Sequence, residues 1–306
     1  MDATMSYPEN AVLRGDYLVT IRPITTADAD ALMEFYAALS VEARRQRFFH
    51  LHRVREDEAA QMAGIERRGD GVALVAVDDD NSIVADARCV RGPDPADRTV
   101  GDLAVAVRDD YQGLGLGHLL MDRLITAASR VGITTIGAEL FSSNVAMRRL
   151  LSNHHFAIME RDGLSLVGAR LSTDGKIPAW PAGTPRPRVL MEGGSWYGSL
   201  QERNLRDAGF SVAVCPGPPH REPCDLLATG RCRLAEGADA IICSTANEES
   251  CQVLAAHQAA GPARPLFVTA GPEQLPPIGR ARRISSTGTS GELLEALRAE
   301  GIEPPA

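Results

Sequence analysis

A short run of alternating glycines gives this sequence its clearest chemical signal. Residues 112–117 read QGLGLG, between an apolar stretch that ends at Val107 and a stretch with helical periodicity that begins near Leu116. Glycine lets the backbone approach a ligand closely, and the first N–H groups of a helix have no acceptor within the helix. A strand, a glycine turn and a helix in this order predict an anion site that fits a pyrophosphate.

Other phosphate-binding loops fit the run less well. A dinucleotide fingerprint has the spacing G-x-G-x-x-G, whereas these glycines occupy every second position in the middle of a domain. A P-loop requires a lysine directly after its glycines, and Lys176 is the only lysine in the chain. The glycines alone leave one alternative open, which is a tight strand-to-helix turn without a ligand.

The periodicity of apolar residues predicts the elements that hold this run. Alternation predicts strands at 17–23, 72–77, 83–90, 100–107, 133–141, 157–160 and 164–171. Helical spacing predicts helices at 26–39, 41–49, 56–65, 116–131 and 145–151. Polar residues at 78–81 predict a hairpin between two of the strands. This order predicts a mixed α/β domain with one central sheet and flanking helices.

Prolines divide the chain into two predicted domains. A chain of 306 residues exceeds one typical domain, and four prolines between 178 and 187 make 173–187 a stiff, non-helical linker. We predict one domain over 15–172 and a second over 188–303. In the second, apolar runs at 188–193, 210–215, 238–244, 265–270 and 281–285 alternate with helical patterns at 200–208, 248–260 and 292–299. Alternating units of this kind predict a flavodoxin-like or receiver-like parallel α/β sheet.

The second domain does not carry the residues of a phosphorylated receiver. Such a domain needs acidic residues after its first strand, an aspartate after its third and a lysine after its fifth. The matching places hold Glu192, Ser244 and Ser285 or Ser286. We therefore expect no phosphoryl transfer and predict a regulatory, ligand-sensing or partner-docking domain. Residues 193–195 favour a plain turn over a small-anion site.

Charge and cysteine usage exclude several classes of protein. A formal net charge of −8 argues against nucleic-acid binding. The sequence contains no run of 18 apolar residues, which a membrane-spanning helix would need. Without an export signal, we expect a cytoplasmic protein whose six cysteines are reduced thiols. A zinc site of Cys215, Cys224, Cys232 and His220 would have irregular spacing, so we favour scattered small apolar residues and predict no metal.

Two stretches of the first domain resemble one known family. Residues 107–117 resemble the acetyl-CoA-binding motif Q/R-x-x-G-x-G/A of the GNAT family of N-acetyltransferases. Residues 143–147 (SNVAM) resemble the junction where an asparagine of that family contacts pantetheine. The resemblance implies a GNAT-like mixed sheet and acetyl-CoA as cosubstrate. It places cofactor contacts at Val105, Val107, Gln112, Gly113, Leu114, Gly115, Leu116, Gly117, Asn144 and Met147.

A narrower resemblance concerns the acceptor. Residues 20–24 and 40–49 are similar to the opening of the bacterial protein lysine acetyltransferase (Pat-type) branch, which acetylates enzymes such as acyl-CoA synthetases. This implies a protein lysine as acceptor and an acyl-CoA synthetase as one candidate partner. Arg44, Arg45 and Arg47 fit a solvated helix face equally well. A small-molecule amine acetyltransferase and a non-catalytic acyl-CoA sensor are the alternatives.

The same resemblance assigns the chemistry to Asp102. A lysine amine, with a pKa near about 10.4, must lose a proton before it attacks a thioester. Asp102 occupies the position of the branch's catalytic glutamate and is therefore the predicted general base. It shares a strand face with Ala104 and Ala106, where it is either desolvated or exposed at the start of the strand. The resemblance also places a thioester contact at the Val105 N–H and puts Leu151 where many members have a tyrosine acid.

Overall fold

The chain divides into two units in a computed structural model. The structure describes residues 7–92, 98–154, 156–162, 166–193, 200–215, 217, 224–244, 248–260, 265–270, 281–285 and 290–304. The first unit comprises Met1–Asn144 and Ser172–Asp174, and the second comprises Val145–Leu171 and Gly175–Ala306. The domain boundaries drawn from the sequence stay a prediction.

Within the described residues, the first unit contains six strands and five helices. The strands are β1 (Glu9–Val12), β2 (Leu18–Pro23), β3 (Gly71–Val77), β4 (Ile83–Arg91), β5 (Val100–Val107) and β6 (Thr135–Phe141). The helices are α1 (Ala29–Ala38), α2 (Val41–Phe48), α3 (Glu56–Ala63), α4 (Ile65–Arg68) and α5 (Leu116–Arg130). Single 3-10 turns at Thr26–Asp28 and Asp109–Tyr111 precede α1 and the glycine turn.

These strands pair in chain order from β1 to β6. Neighbours are antiparallel except β5 and β6, which run parallel. The predicted β3–β4 hairpin is confirmed, and it closes where Asp78 Oδ1 accepts a hydrogen bond from the Ser82 N–H at 2.9 Å. Strand β5 therefore lies inside the sheet, between the antiparallel strand β4 and the parallel strand β6.

Helices cover both faces of β3, which is buried along its whole length. On one face α1 buries Leu32, Phe35 and Tyr36, spaced three and four residues apart, in a core shared with Ala73 and Val75. On the other, α5 contacts β3 and β4 through the buried side chains Leu116, Leu120, Met121, Leu124 and Ala128. The predicted mixed α/β sheet with flanking helices is confirmed.

The second unit contains the remaining elements that the structure describes. Its strands are β7 (Ala157–Asp162), β8 (Leu166–Ser172), β9 (Arg188–Glu192), β10 (Ser211–Cys215), β11 (Ala240–Ser244), β12 (Leu266–Ala270) and β13 (Arg282–Ser285). Its helices are α6 (Val145–Asn153), α7 (Leu200–Asp207), α8 (Asp225–Thr229), α9 (Arg233–Gly237), α10 (Glu248–Ala259) and α11 (Ser290–Ala299).

Five parallel strands form the centre of the second unit in the order β10-β9-β11-β12-β13. This is the flavodoxin-like order 2-1-3-4-5, so the predicted fold class is confirmed. The hairpin of β7 and β8 extends the sheet, because β7 pairs antiparallel with β10 through Ile158 and Val214. Among the described helices, none has the length and apolar character needed to cross a membrane.

Besides the short helices α8 and α9, which no predicted helix covers, three local features differ from the sequence prediction. The short strand β1 is not predicted, because its four residues alternate only between half-buried and exposed. The helix expected at 56–65 is interrupted at Gly64, which caps α3 by donating its N–H to the Ala60 C=O. In the stretch expected to be a linker, Ile177 and Trp180 are buried in the core of the second unit, and the Trp180 indole N–H donates to the Leu234 C=O at 2.8 Å.

Candidate active site

The glycine turn leads directly into α5. Gly113 and Gly115 have φ angles of 75° and 97°, which residues with a side chain rarely adopt. The Gly115 C=O accepts hydrogen bonds from the N–H groups of His118 and Leu119 at 3.1 and 3.2 Å, which starts the helix. A Cβ at either glycine would meet no heavy atom within 4 Å, so backbone conformation rather than space requires glycine. The turn thus has the open flank and the helix N-terminus that an anion site needs.

Side chains around the turn fix its shape. The Gln112 side-chain amide donates to the Val107 C=O at 3.1 Å and closes the loop between β5 and α5. Arg108 pairs with both carboxylate oxygens of Asp110, at 2.7 and 3.0 Å, and its guanidinium lies 4.8 Å from the centroid of the Tyr111 ring. A turn held in this way needs little ordering when an anion binds.

The two parallel strands β5 and β6 separate before β5 reaches the glycine turn. Their register joins Val100–Asp102 to Thr135–Gly137 and ends there. Both strands are described in full and continue, β5 to Val107 and β6 to Phe141. The separation leaves one edge of β5 facing a gap instead of a neighbouring strand.

Main-chain groups of β5 point into this gap at alternate residues. On the opposite edge, the Arg108 N–H donates to the Val84 C=O of β4, so even-numbered residues direct their N–H and C=O groups toward β4. Odd-numbered residues, including Val105 and Val107, direct theirs toward the side of β6. The gap therefore offers hydrogen-bond partners to an extended ligand that carries amides.

Asp102 stands where the two strands separate, and its side chain is exposed. Its partner on β6 is Gly137, where a Cβ would lie 3.3 Å from Asp102 Oδ1, so glycine keeps that side of the carboxylate open. The sequence left two environments open for the Asp102 side chain, desolvated or exposed, and the structure shows the exposed one. Burial, followed by the charge of Asp102, raises the pKa of Cys89 to about 12, so this neighbouring thiol stays protonated at neutral pH.

A buried ion pair supports the sheet face that carries Asp102. On β4, Asp86 accepts hydrogen bonds from Arg88 Nε and Nη2 at 2.9 and 2.7 Å, and from the Tyr36 O–H at 2.5 Å. Arg88 Nη1 also donates to the Met62 C=O at 3.3 Å. The group attaches α1 and α3 to the sheet beside Asp102. Sequence reasoning missed it, although two opposite charges two residues apart in an apolar strand are its visible signal.

Burial determines the protonation of this group. Desolvation raises the pKa of Tyr36 to about 12, and the Asp86 charge adds to the effect. Burial alone would lower the pKa of the Arg88 guanidinium, but Asp86 outweighs it and the net pKa is raised. The group therefore holds a neutral phenol and a cation beside a carboxylate, and it serves as a structural clamp.

Two of the three arginines of α2, Arg45 and Arg47, lie on aromatic rings. Arg45 lies 4.7 Å from the Phe141 ring centroid at the end of β6, and Arg47 lies 4.8 Å from that of Phe48. The N-cap residue Ser40 donates its hydroxyl and its N–H to the Asp109 carboxylate at 2.7 and 2.9 Å. These contacts hold α2 between the loop that precedes the glycine turn and the end of β6.

The remaining predicted site residues lie around α6. Asn144 directly precedes this helix, is half-buried and donates its N–H to the Phe141 C=O at 2.9 Å. Met147 is half-buried on α6, in the second unit. Leu151, also on α6, is buried and apolar and offers no acidic hydrogen. The assignment of Asn144 and Met147 to the cofactor stays a prediction.

Comparison with known proteins assigns the first part of the chain. The model of the Acetyltransferase (GNAT) family matches residues 31–156. An acetyltransferase of Pseudomonas aeruginosa is 31% identical over 135 residues, which are 43% of this chain and 71% of that protein. The chain belongs to the GNAT family of acetyltransferases, as the motifs predict, and the cosubstrate of that family is acetyl-CoA.

Two further relatives support the Pat-type branch. The acetyltransferase Pat of Mycolicibacterium smegmatis is 28% identical over 147 residues, which are 48% of this chain and 43% of that protein. The crystal structure of the GNAT domain of S. lividans PAT matches with a TM-score of 0.50 and 25% identity, over 55% of this chain and 99% of that one. The predicted resemblance to this branch is confirmed, and the match spans less than half of the length of Pat.

Proposed function

We propose that this chain transfers the acetyl group of acetyl-CoA to lysine side chains of a protein. The observation that carries the proposal is the place of Asp102, an exposed carboxylate where β5 and β6 separate. A thioester held in that gap would lie beside the Asp102 carboxylate. It would also lie along β5, where the main-chain groups of Val105 and Val107 point into the gap. Acid, gap and anion turn then form one continuous site.

In this site the main chain binds the cofactor. The glycine turn, residues 113–117, would hold the pyrophosphate at the N-terminus of α5. The Val105 C=O and the Val107 N–H would pair with the amides of the pantetheine arm, and Asn144 and Met147 are the predicted contacts near the next helix. The hydrogen bond from the Gln112 side-chain amide to the Val107 C=O supports this arrangement, because it holds the end of β5 against the start of the glycine turn.

Asp102 is the proposed general base. It accepts a proton from the lysine ammonium, directly or through one water, and the neutral amine attacks the thioester carbon. The Val105 N–H stabilises the oxyanion that forms. The C–S bond then breaks, CoA leaves as a thiolate, and the second proton of the amine passes to solvent. With Leu151 in place of a tyrosine acid, the thiolate leaves unassisted, which a thiol pKa near about 8.5 permits.

A protein acceptor is favoured by exposed side chains of the first unit. The Asp102 carboxylate is exposed, and the segment that follows α2 carries Phe49 and Leu51, which are 38% and 70% exposed. Such apolar side chains next to ordered arginines suit an extended contact with a protein better than an enclosed site for a small amine. An acyl-CoA synthetase is the partner that the Pat-type resemblance suggests.

A non-catalytic acyl-CoA sensor is the second candidate. Two residues favour it. The side chain of Asp102 is shorter than the family's glutamate and reaches less far toward the lysine proton, and the buried Leu151 cannot protonate the leaving thiolate. Acetyl-CoA would then bind in the same gap without turnover.

The first experiment tests the base. We expect Asp102→Asn to lower kcat for the acetylation of a lysine peptide by about 100-fold to 10,000-fold, with the Kd for acetyl-CoA unchanged. Asp102→Glu, which restores the family's side chain, should retain or raise kcat. An Asp102→Asn variant as active as the wild type would remove Asp102 from the mechanism.

The second experiment tests cofactor and acceptor together. Protein, acetyl-CoA and a bacterial lysate are incubated, and new acetyl-lysine is measured by mass spectrometry. Gly115→Asp should abolish it and weaken acetyl-CoA binding by at least about 100-fold, because a carboxylate repels the pyrophosphate. Gly132→Asp is the matched control, since Gly132 has a similar φ of 83° and equally open surroundings after α5. Binding of acetyl-CoA without any new acetyl-lysine would favour the small-amine or sensor function.

A further inference from the structure

Three side chains that could ligate a metal meet at the carboxyl end of the parallel sheet in the second unit. Glu192 is the last residue of β9, Cys243 lies on β11 and His257 on α10, and all three are buried. Each offers one ligand atom, and these atoms lie within 4.8 Å of one another. Glu192 Oε2 is 2.6 Å from His257 Nε2 and 3.7 Å from Cys243 Sγ.

The strand register brings two of these residues together. Glu192 is the Cα partner of Cys215 on β10 and of Cys243 on β11, so the three side chains form one row on one sheet face. The winding of the chain reverses between β9 and β11, and sheets of this order bind ligands at the carboxyl end of that switch point. Glu192 and Cys243 flank the switch point, and His257 joins them from α10.

We propose that Glu192, Cys243 and His257 form a binding site for a divalent transition metal, with Zn²⁺ as the best match. A carboxylate, a thiolate and an imidazole together suit Zn²⁺, whereas Ca²⁺ and Mg²⁺ prefer oxygen ligands alone. Tetrahedral coordination at zinc bond lengths separates ligand atoms by roughly 3 to 4 Å. The Glu192–His257 separation of 2.6 Å must widen, the Glu192–Cys243 separation of 3.7 Å fits, and the Cys243–His257 separation is at most 4.8 Å, so binding requires only small side-chain shifts.

Charge balance favours a divalent ion at this buried place. Binding replaces the Cys243 S–H bond with a sulfur–metal bond and releases the proton to solvent. Thiolate, carboxylate and neutral imidazole then carry two negative charges, which a divalent cation cancels. Around them lie apolar side chains of one core, among them Leu190, Ala213, Ile241, Val253 and Val268. A neutral ion–ligand set costs far less to bury in such a core than an unbalanced one.

A nucleophilic cysteine is the competing use of these residues, and their arrangement disfavours it. Glu192 lies between Cys243 and His257, because its Oε2 contacts both. A catalytic thiol needs the imidazole next to it, whereas a carboxylate stabilises the protonated thiol. Burial, the charge of Glu192 and its hydrogen bond together raise the pKa of the Cys243 thiol well above its ordinary value. A metal ion is a partner that removes the proton from such a thiol.

The sequence analysis treated Cys215, Cys224 and Cys232 as scattered small apolar residues and did not consider Cys243 together with Glu192 and His257. Cys215 and Cys243 stand in the row with Glu192, whereas Cys224 and Cys232 precede α8 and α9 outside the three-residue group. His220, the imidazole considered from the sequence, lies outside the described residues. The proposed ion belongs to the second unit and has no part in acetyl transfer.

Metal titration of the full chain tests the site. Protein stripped with a chelator is titrated with Zn²⁺ in competition with a chromophoric chelator, and we expect one tight site per chain. Glu192→Gln and Cys243→Ser should each weaken it by more than about 100-fold, beyond the loss typical of residues that only orient a ligand. Cys251→Ser removes a half-buried thiol of α10 outside the group and should bind Zn²⁺ like the wild type.

Cobalt spectroscopy on the wild type keeps the test independent of how the variants fold. Co²⁺ bound through Cys243 gives a thiolate-to-metal charge-transfer band, which Cys251→Ser should keep. A wild type without a stoichiometric Zn²⁺ site, or without this band, would show that Glu192 and His257 are only a buried hydrogen-bonded pair. Retention of the tight site and the band in Cys243→Ser would equally overturn the proposal.

Discussion

Each unit of this protein buries a carboxylate with two partners, but the partners differ in what they can do. In the first unit Asp86 pairs with Arg88 and Tyr36, and in the second Glu192 pairs with His257 and Cys243. The two carboxylic residues are 0% and 7% exposed, so burial does not distinguish them. Arginine keeps its proton and binds no metal, whereas histidine and cysteine can ligate metals, and a metal ion can displace the proton of a cysteine thiol.

Position in the sheet separates the two groups as clearly as residue type does. Asp86 lies in the middle of β4, between β3 and β5, where only neighbouring elements can reach it. Glu192 ends β9 at the carboxyl edge of a parallel sheet, where such folds bind ligands. A buried charge in mid-strand with a permanent counter-charge therefore fixes structure, and one at a strand end with exchangeable partners is available for binding.

The largest effect is expected for Asp86→Asn. It leaves the Arg88 guanidinium, which is 3% exposed, without its counter-charge and should lower the free energy of unfolding by about 3 to 5 kcal/mol. Hydrogen exchange of the β4 amides measures this in the first unit. Asp110→Asn is the control, because its two-point pair with Arg108 is exposed and should be worth less than about 1 kcal/mol. Equal losses in the two variants would contradict a clamp at Asp86.

A smaller effect is expected for Glu192→Gln with a chelator present. The substitution removes the carboxylate from its hydrogen bond with His257, so the cost should be about 2 kcal/mol, as for one hydrogen bond to a charged group. Urea unfolding followed by tryptophan fluorescence reports on this unit, since Trp180 is buried in its core. Glu202→Gln should cost more, because Arg206 beside Glu202 at 3.2 Å cannot lose its proton. Saturating Zn²⁺ should widen the difference between wild type and Glu192→Gln, and an unchanged difference would argue against the ion.

The smallest effect is expected for Tyr36→Phe, and its size depends on pH. At pH 7 the lost hydrogen bond to Asp86 should cost about 1 kcal/mol. Burial, followed by the Asp86 charge, raises the pKa of Tyr36 from 10.0 to about 12, so the native protein holds this proton more tightly than the unfolded chain. That stabilisation is complete below pH 10 and is lost as the pH approaches 12. Urea unfolding at pH 7 and pH 11 should therefore show the wild-type advantage shrinking, with the exposed Tyr17→Phe as control.

Much of the architecture could be predicted from the sequence because it depends on local chemistry. The alternation of apolar residues predicted the bounds of β5 correctly. The five parallel strands of the second unit have the flavodoxin-like order that the alternating units predicted. The break at Gly64 and the burial of Trp180 were not predictable in the same way. A glycine can continue or end a helix, and whether a tryptophan in a proline-rich stretch is buried depends on the surface that it meets.

The glycine turn is the part of the site that the sequence alone determined, because positive φ angles and a helix start are properties of a few consecutive residues. The tertiary structure decided the setting of the acid. Asp102 is exposed because β6 leaves β5 at that residue and places Gly137 beside it. It also decided the group around Glu192, since strands β9 and β11 and helix α10 are far apart in the chain. Register and packing bring such residues within a few ångströms, and a single sequence does not encode that proximity in any local pattern.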